Sequence, residues 1–203
     1  IRDIPSHHIH AGNKMTNLRQ VIQKEMADEG LKCKCLRCRE VGHRHENSQF
    51  PIPKSQPKLF IDKYEASDGT EYFLSYEDPK RNCVYAFCRL RLLSLRGAKR
   101  RSNPTVANGI ATLPVVARDD NPTIYPAYIR ELHTYGQLVE IGKKSKGASQ
   151  HTGLGVKLVQ KAEAICQREE VKKLAVISGV GVRGYYRKLG YKLENTYMVK
   201  GLK

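Results

Sequence analysis

The chain has 203 residues, enough for one large domain or for a compact domain with an appendage. Thirty-six lysines and arginines oppose twenty aspartates and glutamates, giving a formal charge of +16 and a pI near 9.7, while 40% of the residues are hydrophobic. These values exclude wholesale disorder and favour a polyanionic partner, nucleic acid above all, over a basic enzyme without one. No apolar run approaches the roughly 18 residues of a membrane helix, and IRDIPSHHIHAGNK lacks a signal-peptide core. The expectation is a soluble, cytoplasmic protein with no membrane partner. Because it opens on Ile1, it also reads as a piece of a longer body.

In chain order, residues 1–15 look extended, broken by Pro5 and Gly12. A helix is expected from Thr16, a good N-cap, to Gly30, with Leu18, Val21, Ile22 and Met26 on one face. The cysteine cluster KCKCLRCRE follows at 32–40, and residues 43–58, with Pro51, Pro53 and Pro57, read as a linker or loop. KLFIDKYEAS and TEYFLSYED flank Asp68-Gly69, which predicts a hairpin. RNCVYAFCRLRLL alternates polar and apolar residues, the pattern of a half-buried strand. Residues 94–123 show no periodicity and read as an inserted loop. They resemble translated palindromic repeats found inside bacterial reading frames. The functional alternative is an RNA-binding loop built on Arg96, Lys99, Arg100 and Arg101.

The remaining 80 or so residues follow an α/β pattern. YIRELHTYGQLVEI (128–141) is strand-like, and a Gly/Lys/Ser loop leads into a helix over about 152–170. Its Leu154, Leu158, Ala162, Ile165 and Cys166 share a face. KLAVIS is a short buried strand, GVRGYYRKLG a short helix ending at Gly190, and YKLENTYMVKGL a closing strand.

Two motifs carry chemistry. Gln150, His151, Thr152, Gly153, Leu154 and Gly155 lie between a strand and a helix in the spacing Q-x-x-G-x-G. A helix N-terminus offers free N–H groups and a positive dipole end, and the glycines let a diphosphate approach the backbone. Cys33, Cys35 and Cys38 suit a tetrahedral structural Zn²⁺ that needs one further ligand. The candidates are His43, His45, His133, Cys83 and Cys88. The alternative is three free surface thiols. His7, His8 and His10 read as solvated.

The strand–loop–helix–strand–helix order around QHTGLG resembles the acetyl-CoA half of the GNAT acetyltransferases, whose signature is [RQ]-x-x-G-x-[GA]. That resemblance implies an α/β fold with a mixed, mostly antiparallel central sheet. It implies acetyl-CoA as co-substrate, with its diphosphate on residues 150–155 and its pantetheine arm along Leu138, Val139 and Ile141. In YYRKLGY it implies catalytic roles for Tyr186 and Tyr185 at the thioester, Tyr186 standing at the family's proton-donor position.

Further segments are more specific. IRDIPS, AGNKMTNLRQ, CKCLRCREVG, YFLSYEDPKR, IRELHTYGQLVEIG, AVISGVGVRGYYRKLGY and YMVKGL resemble the Elongator catalytic-subunit family, which joins a radical-SAM domain to a GNAT domain and makes 5-carboxymethyluridine at the tRNA wobble position. The resemblance covers the carboxy-terminal part only. Cys-x-Cys-x2-Cys is not the Cys-x3-Cys-x2-Cys of a radical-SAM cluster, so no iron–sulfur or SAM site is expected here. It implies residues 1–57 as radical-SAM tail and zinc linker and 58–203 as the acetyltransferase domain. It favours His133 as the fourth zinc ligand, and puts Arg2, Lys14 and Arg19 on a tRNA path joined by Lys34, Arg37 and Arg39 around the cysteines. Thr152 and Gly184 depart from the family, which often has a basic and an acidic residue there. The implied partners are tRNA and a separate radical-SAM chain or Elongator-like subunits, with dimerisation left open. Two rival readings are an independent protein or amine N-acetyltransferase and a non-catalytic tRNA-binding fragment.

Overall fold

The computed structural model describes residues 6–8, 10–43, 53, 55–66, 69–93, 125–135 and 153–203. The chain divides into two compact units, Ile1–Arg39 and Glu40–Lys203. The second unit is α/β and is organised by one seven-stranded sheet in the order β1-β2-β3-β4-β5-β7-β6. All its pairings are antiparallel except β4 with β5. The mixed, mostly antiparallel sheet expected from the sequence is therefore present.

β1 (Lys58–Glu65) and β2 (Gly69–Glu77) form the predicted hairpin, closed by reciprocal backbone bonds between Ala66 and Gly69 of 2.9 and 3.1 Å. Glycine is needed at position 69 because a Cβ there would fall 2.5 Å from the Leu92 carbonyl oxygen. At the far end of β2 the Asp78 carboxylate accepts the backbone N–H groups of Lys80, Asn82 and Cys83, and so shapes the turn into β3 (Val84–Leu93).

The alternation in β3 does not produce a half-buried strand: nearly every residue is buried, on both faces. One face, with Ala86, Cys88, Leu90 and Leu92, belongs to the main core. The other carries Phe87, stacked on Phe73 at 5.4 Å, and Arg91, whose Nη1 donates to Glu71 at 3.2 Å. Glu71 is 2% exposed and also accepts from Arg130 at 2.8 Å. Polar residues of β3 thus point into a paired interior rather than into solvent, and a hydrophobicity pattern cannot distinguish the two.

β3 and β4 (Ala127–Thr134) are neighbours, and the Leu93 N–H donates to the Pro126 carbonyl at 2.9 Å. The predicted insertion 94–123, with its alternative basic-loop residues, lies outside the described residues.

A helix over Leu154–Arg168, the third α-helix among the described residues and called α3 below, packs across β2, β3 and β4. Its buried residues include all five of the face predicted from the 3.6-residue period, with Gly155 and Val159 added. β5 (Lys173–Val176) follows, then a 3-10 turn over Val180–Val182 and the short helix α4 (Arg183–Lys188). Gly190, with φ +87°, ends that segment. The expected closing strand is a hairpin instead, β6 (Lys192–Glu194) and β7 (Tyr197–Gly201), turning at Asn195 with φ +54°. An asparagine tolerates that left-handed conformation better than most residues.

The first unit holds a 3-10 turn at Ser6–His8, helix α1 (Leu18–Asp28) and the one-turn helix α2 (Leu36–Arg39). α1 starts one turn residue later than expected, with Asn17 as N-cap and no capping side-chain bond. None of its residues is buried, so the predicted apolar face is not a core face within this unit. No helix among the described residues is long and apolar enough to cross a membrane.

Candidate active site and candidate metal centre

The one parallel pairing makes a gap in the sheet. β4 and β5 pair only at Ala127–Leu174, Tyr128–Ala175 and Ile129–Val176, with one further bond from the Ile177 N–H to the Ile129 carbonyl at 3.1 Å. β4 then runs on to Thr134 with no described strand on that side. Among the described residues no strand pairs with that edge, where an extended ligand could add as a strand would.

The N-terminus of α3 opens beside this gap. Gly153 is its N-cap in the left-handed conformation, φ +72°, and no side chain caps the helix. Among the described residues nothing caps the first N–H groups of α3, and anions favour that dipole end. Gly155, in the first turn, is buried where three elements converge. A Cβ there would lie 3.0 Å from the Tyr185 hydroxyl of α4 and 3.3 Å from Cγ2 of Thr134 at the end of β4. The glycine therefore keeps a space that alanine would fill.

The two tyrosines differ. Tyr185 is half-buried, and its hydroxyl is itself buried with no hydrogen-bond partner among the described residues. A hidden hydroxyl without a partner is costly, and such groups concentrate where a ligand belongs. Burial, with the Cys88 thiol as a lesser cause, raises its pKa, so it keeps its proton at neutral pH. Tyr186 is 5% exposed and sits in the main core, its ring 5.8 Å from Tyr191 and 5.1 Å from Tyr185. Burial pushes its pKa up too. Ser178, just after β5, also has a buried hydroxyl without a partner. Sequence reading passed over Thr134 and Ser178 because a lone hydroxyl at a strand end carries no pattern.

In the first unit the three cluster sulfurs lie within 4.8 Å of one another. That matches the ~3.8 Å edge of a tetrahedron with ~2.3 Å Zn–S bonds. Cys35 stands at the start of α2 and faces the Cys38 backbone N–H, which, aided by the Arg19 guanidinium, holds its thiol down to about 6. Burial pushes Cys38 the other way. The residues present thus fit a soft metal ion held as thiolates. No other described His, Asp or Glu of this unit joins the three.

Arg19, expected on the tRNA path, has its Nη2 3.2 Å from the Cys38 Sγ and 3.6 Å from the Cys35 Sγ. Lys14, Lys34 and Arg37 are exposed, while Arg39 is half-buried and donates to the Lys34 carbonyl at 2.9 Å. Among the suggested fourth ligands, Cys83 and Cys88 are buried in the core of the second unit. His133 is exposed on β4, stacked on Phe87 at 5.0 Å. Arg2, Leu138, Val139, Ile141, Gln150, His151, Thr152, His45 and the His43 side chain lie outside what the structure describes.

No protein-family model matches the chain. It is 41% identical over 203 residues to the tRNA uridine(34) acetyltransferase of Methanocaldococcus jannaschii, covering 99% of this chain and 34% of that protein. It is 36% identical to human Elongator complex protein 3, covering 100% of this chain and 33% of the relative. Among solved structures, archaeal Methanocaldococcus infernus Elp3 with an N-terminal deletion superposes with a TM-score of 0.71 at 37% identity, over 99% of this chain and 43% of that one. The chain thus spans about a third of the length of the curated relatives it matches.

Proposed function

We propose, from the premise that this chain is homologous over its whole length to part of the Elongator complex protein 3 family, that it is the acetyl-CoA-dependent acetyltransferase domain of a cytoplasmic tRNA wobble-uridine modifying enzyme. The observation that carries the reading is the partnerless Tyr185 hydroxyl over Gly155, at the uncapped start of α3 and beside the β4–β5 gap. The radical chemistry at uridine belongs to the portion of the relatives that this sequence does not span. It would come from that portion or from a separate radical-SAM chain, with Elongator-like subunits as further partners.

Acetyl-CoA supplies an activated acetyl thioester when bound. Residues 150–155 and the first N–H groups of α3 would hold its diphosphate. The pantetheine arm would lie along the continuation of β4, where Leu138, Val139 and Ile141 fall. Tyr185 would give its O–H proton to sulfur as the carbon–sulfur bond breaks and a water oxygen bonds to the carbonyl carbon, which becomes the carboxylate of the 5-carboxymethyl group while the former methyl carbon is the one joined to uridine. Tyr186, which the resemblance puts at the proton-donor position, lies in the core behind it with its ring 5.1 Å from that of Tyr185 and would be the alternative donor. The three cysteines would hold Zn²⁺ as a structural ion with no part in the transfer, His133 being the family's candidate for its fourth ligand. tRNA would be drawn by the excess of +16, through Arg2, Lys14, Arg19, Lys34, Arg37 and Arg39.

The test is acetyl-CoA binding by calorimetry and acetyl-CoA turnover with and without tRNA. Tyr185→Phe should cut turnover by about 10²–10⁴ with binding retained, the range for losing a general acid. Turnover unchanged in that variant would remove Tyr185 from the chemistry. Transfer to lysine or a polyamine without tRNA would instead identify an independent N-acetyltransferase. tRNA binding without acetyl-CoA binding would identify a non-catalytic RNA-binding fragment.

A further inference from the structure

We infer that Arg19 and Gln23 of α1 form the outer shell of the thiolate centre, so that a metal on Cys33, Cys35 and Cys38 is what holds α1 in place. This rests on the metal reading of the three cysteines. The geometry is direct. Arg19 Nη2 lies 3.2 Å from the Cys38 Sγ and 3.6 Å from the Cys35 Sγ, and Gln23 Nε2 lies 3.3 Å from the Cys38 Sγ. Residues 19 and 23 are one turn apart and share a face of the helix. That face meets Cys33 and Cys38 across a cavity of about 250 Å³ that Leu18, Ile22 and Met26 also line.

The chemistry of the donors explains the pairing. Three thiolates on a divalent cation carry a net charge of −1 before a neutral fourth ligand is counted. A fixed guanidinium offsets that charge and directs N–H groups at the sulfur lone pairs. The amide of Gln23 adds a neutral donor at the same sulfur. Such outer partners orient ligands and tune affinity, and their loss typically weakens metal binding 10–100-fold.

Burial supplies the second argument. α1 has no buried residue, and Ile22 is 44% exposed. The three cysteines of its unit form no disulfide. Among the described residues the Arg19 and Gln23 side chains of α1 both reach the cysteine sulfurs, so ordering of the helix is linked to metal occupancy. Arg19 then acts on the RNA surface as a strut rather than as a phosphate contact.

The experiment titrates the full chain, stripped of metal, with Co²⁺ and Zn²⁺ in competition with a chromophoric chelator, and follows amide hydrogen exchange in α1. The wild type should bind one equivalent with a cobalt–thiolate charge-transfer band, and α1 should gain protection on loading while α3 stays unchanged. Arg19→Ala should bind 10–100-fold more weakly, Gln23→Ala less so, and Arg19→Gln should fall between them and the wild type. Protection of α3 in each variant reports that the second unit is intact. Equal affinity and equal α1 protection in wild type and Arg19→Ala would overturn the outer-shell role alone. A wild type that binds neither ion would overturn the metal reading and this inference with it. If Arg19 is a phosphate contact instead, Arg19→Ala leaves metal affinity untouched and lowers the salt slope of tRNA binding by about one.

Discussion

Helix α1 buries none of its eleven residues, whereas α3 buries seven of fifteen, although both show an apolar stripe at helical spacing. The difference lies in what the stripe meets. α3 lies on a sheet whose β2, β3 and β4 offer Tyr72, Leu74, Cys88, Leu90 and Ile129. α1 meets the segment over residues 33–38, whose three cysteine sulfurs gather beside Arg19 and Gln23. One unit is stabilised by apolar area removed from water, the other by donors arranged around sulfur. Amphipathicity thus reports that a helix has a partner and says nothing about its kind.

Perturbing each unit should separate the two modes. The largest loss is expected from Glu71→Ala, which leaves the Arg91 and Arg130 guanidiniums without their shared carboxylate. Unfolding by urea should show about 3–5 kcal/mol of destabilisation confined to the second unit. Leu158→Ala, at a fully buried site under the sheet, should cost about 2–5 kcal/mol by the same measurement and leave Co²⁺ binding by the first unit unchanged. A change in Co²⁺ affinity there would break the separation.

Smaller effects sharpen the picture at the site. Gly155→Ala sets a Cβ against the Tyr185 hydroxyl and Thr134, and should weaken acetyl-CoA binding at least about tenfold, near 1.4 kcal/mol. Calorimetry showing wild-type affinity would mean that the space above Gly155 is not used. Gly153→Ala has room for its methyl group but sits at φ +72°, so it should cost about 1 kcal/mol of stability from backbone strain. The smallest effect belongs to Ile22→Ala on α1, within about 0.5 kcal/mol in metal-loaded protein, because an exposed side chain has little burial to lose.

Much of the second unit was legible before any coordinates. The α3 face, the β1–β2 hairpin and the glycine loop at a helix start all follow from spacing, because each repeats a local geometry. The burial of β3 was not legible. Arg91 and Phe87 look outward-facing until Glu71 and Phe73 arrive from the neighbouring strand. The β6–β7 hairpin was read as one strand because Asn195-Thr196 is a weaker turn signal than Asp68-Gly69.

Spacing along the chain fixed most elements and the residue types available for chemistry: the tyrosine pair, the glycines at the start of α3 and the three clustered cysteines. Their types follow from covalent structure, and their local geometry from bonds within a few residues. Tertiary structure alone decided which tyrosine hydroxyl reaches Gly155, where the sheet opens between β4 and β5, and that Arg19 turns to sulfur. Each of these depends on groups from segments far apart in the chain, whose approach is set by packing and not by any local rule.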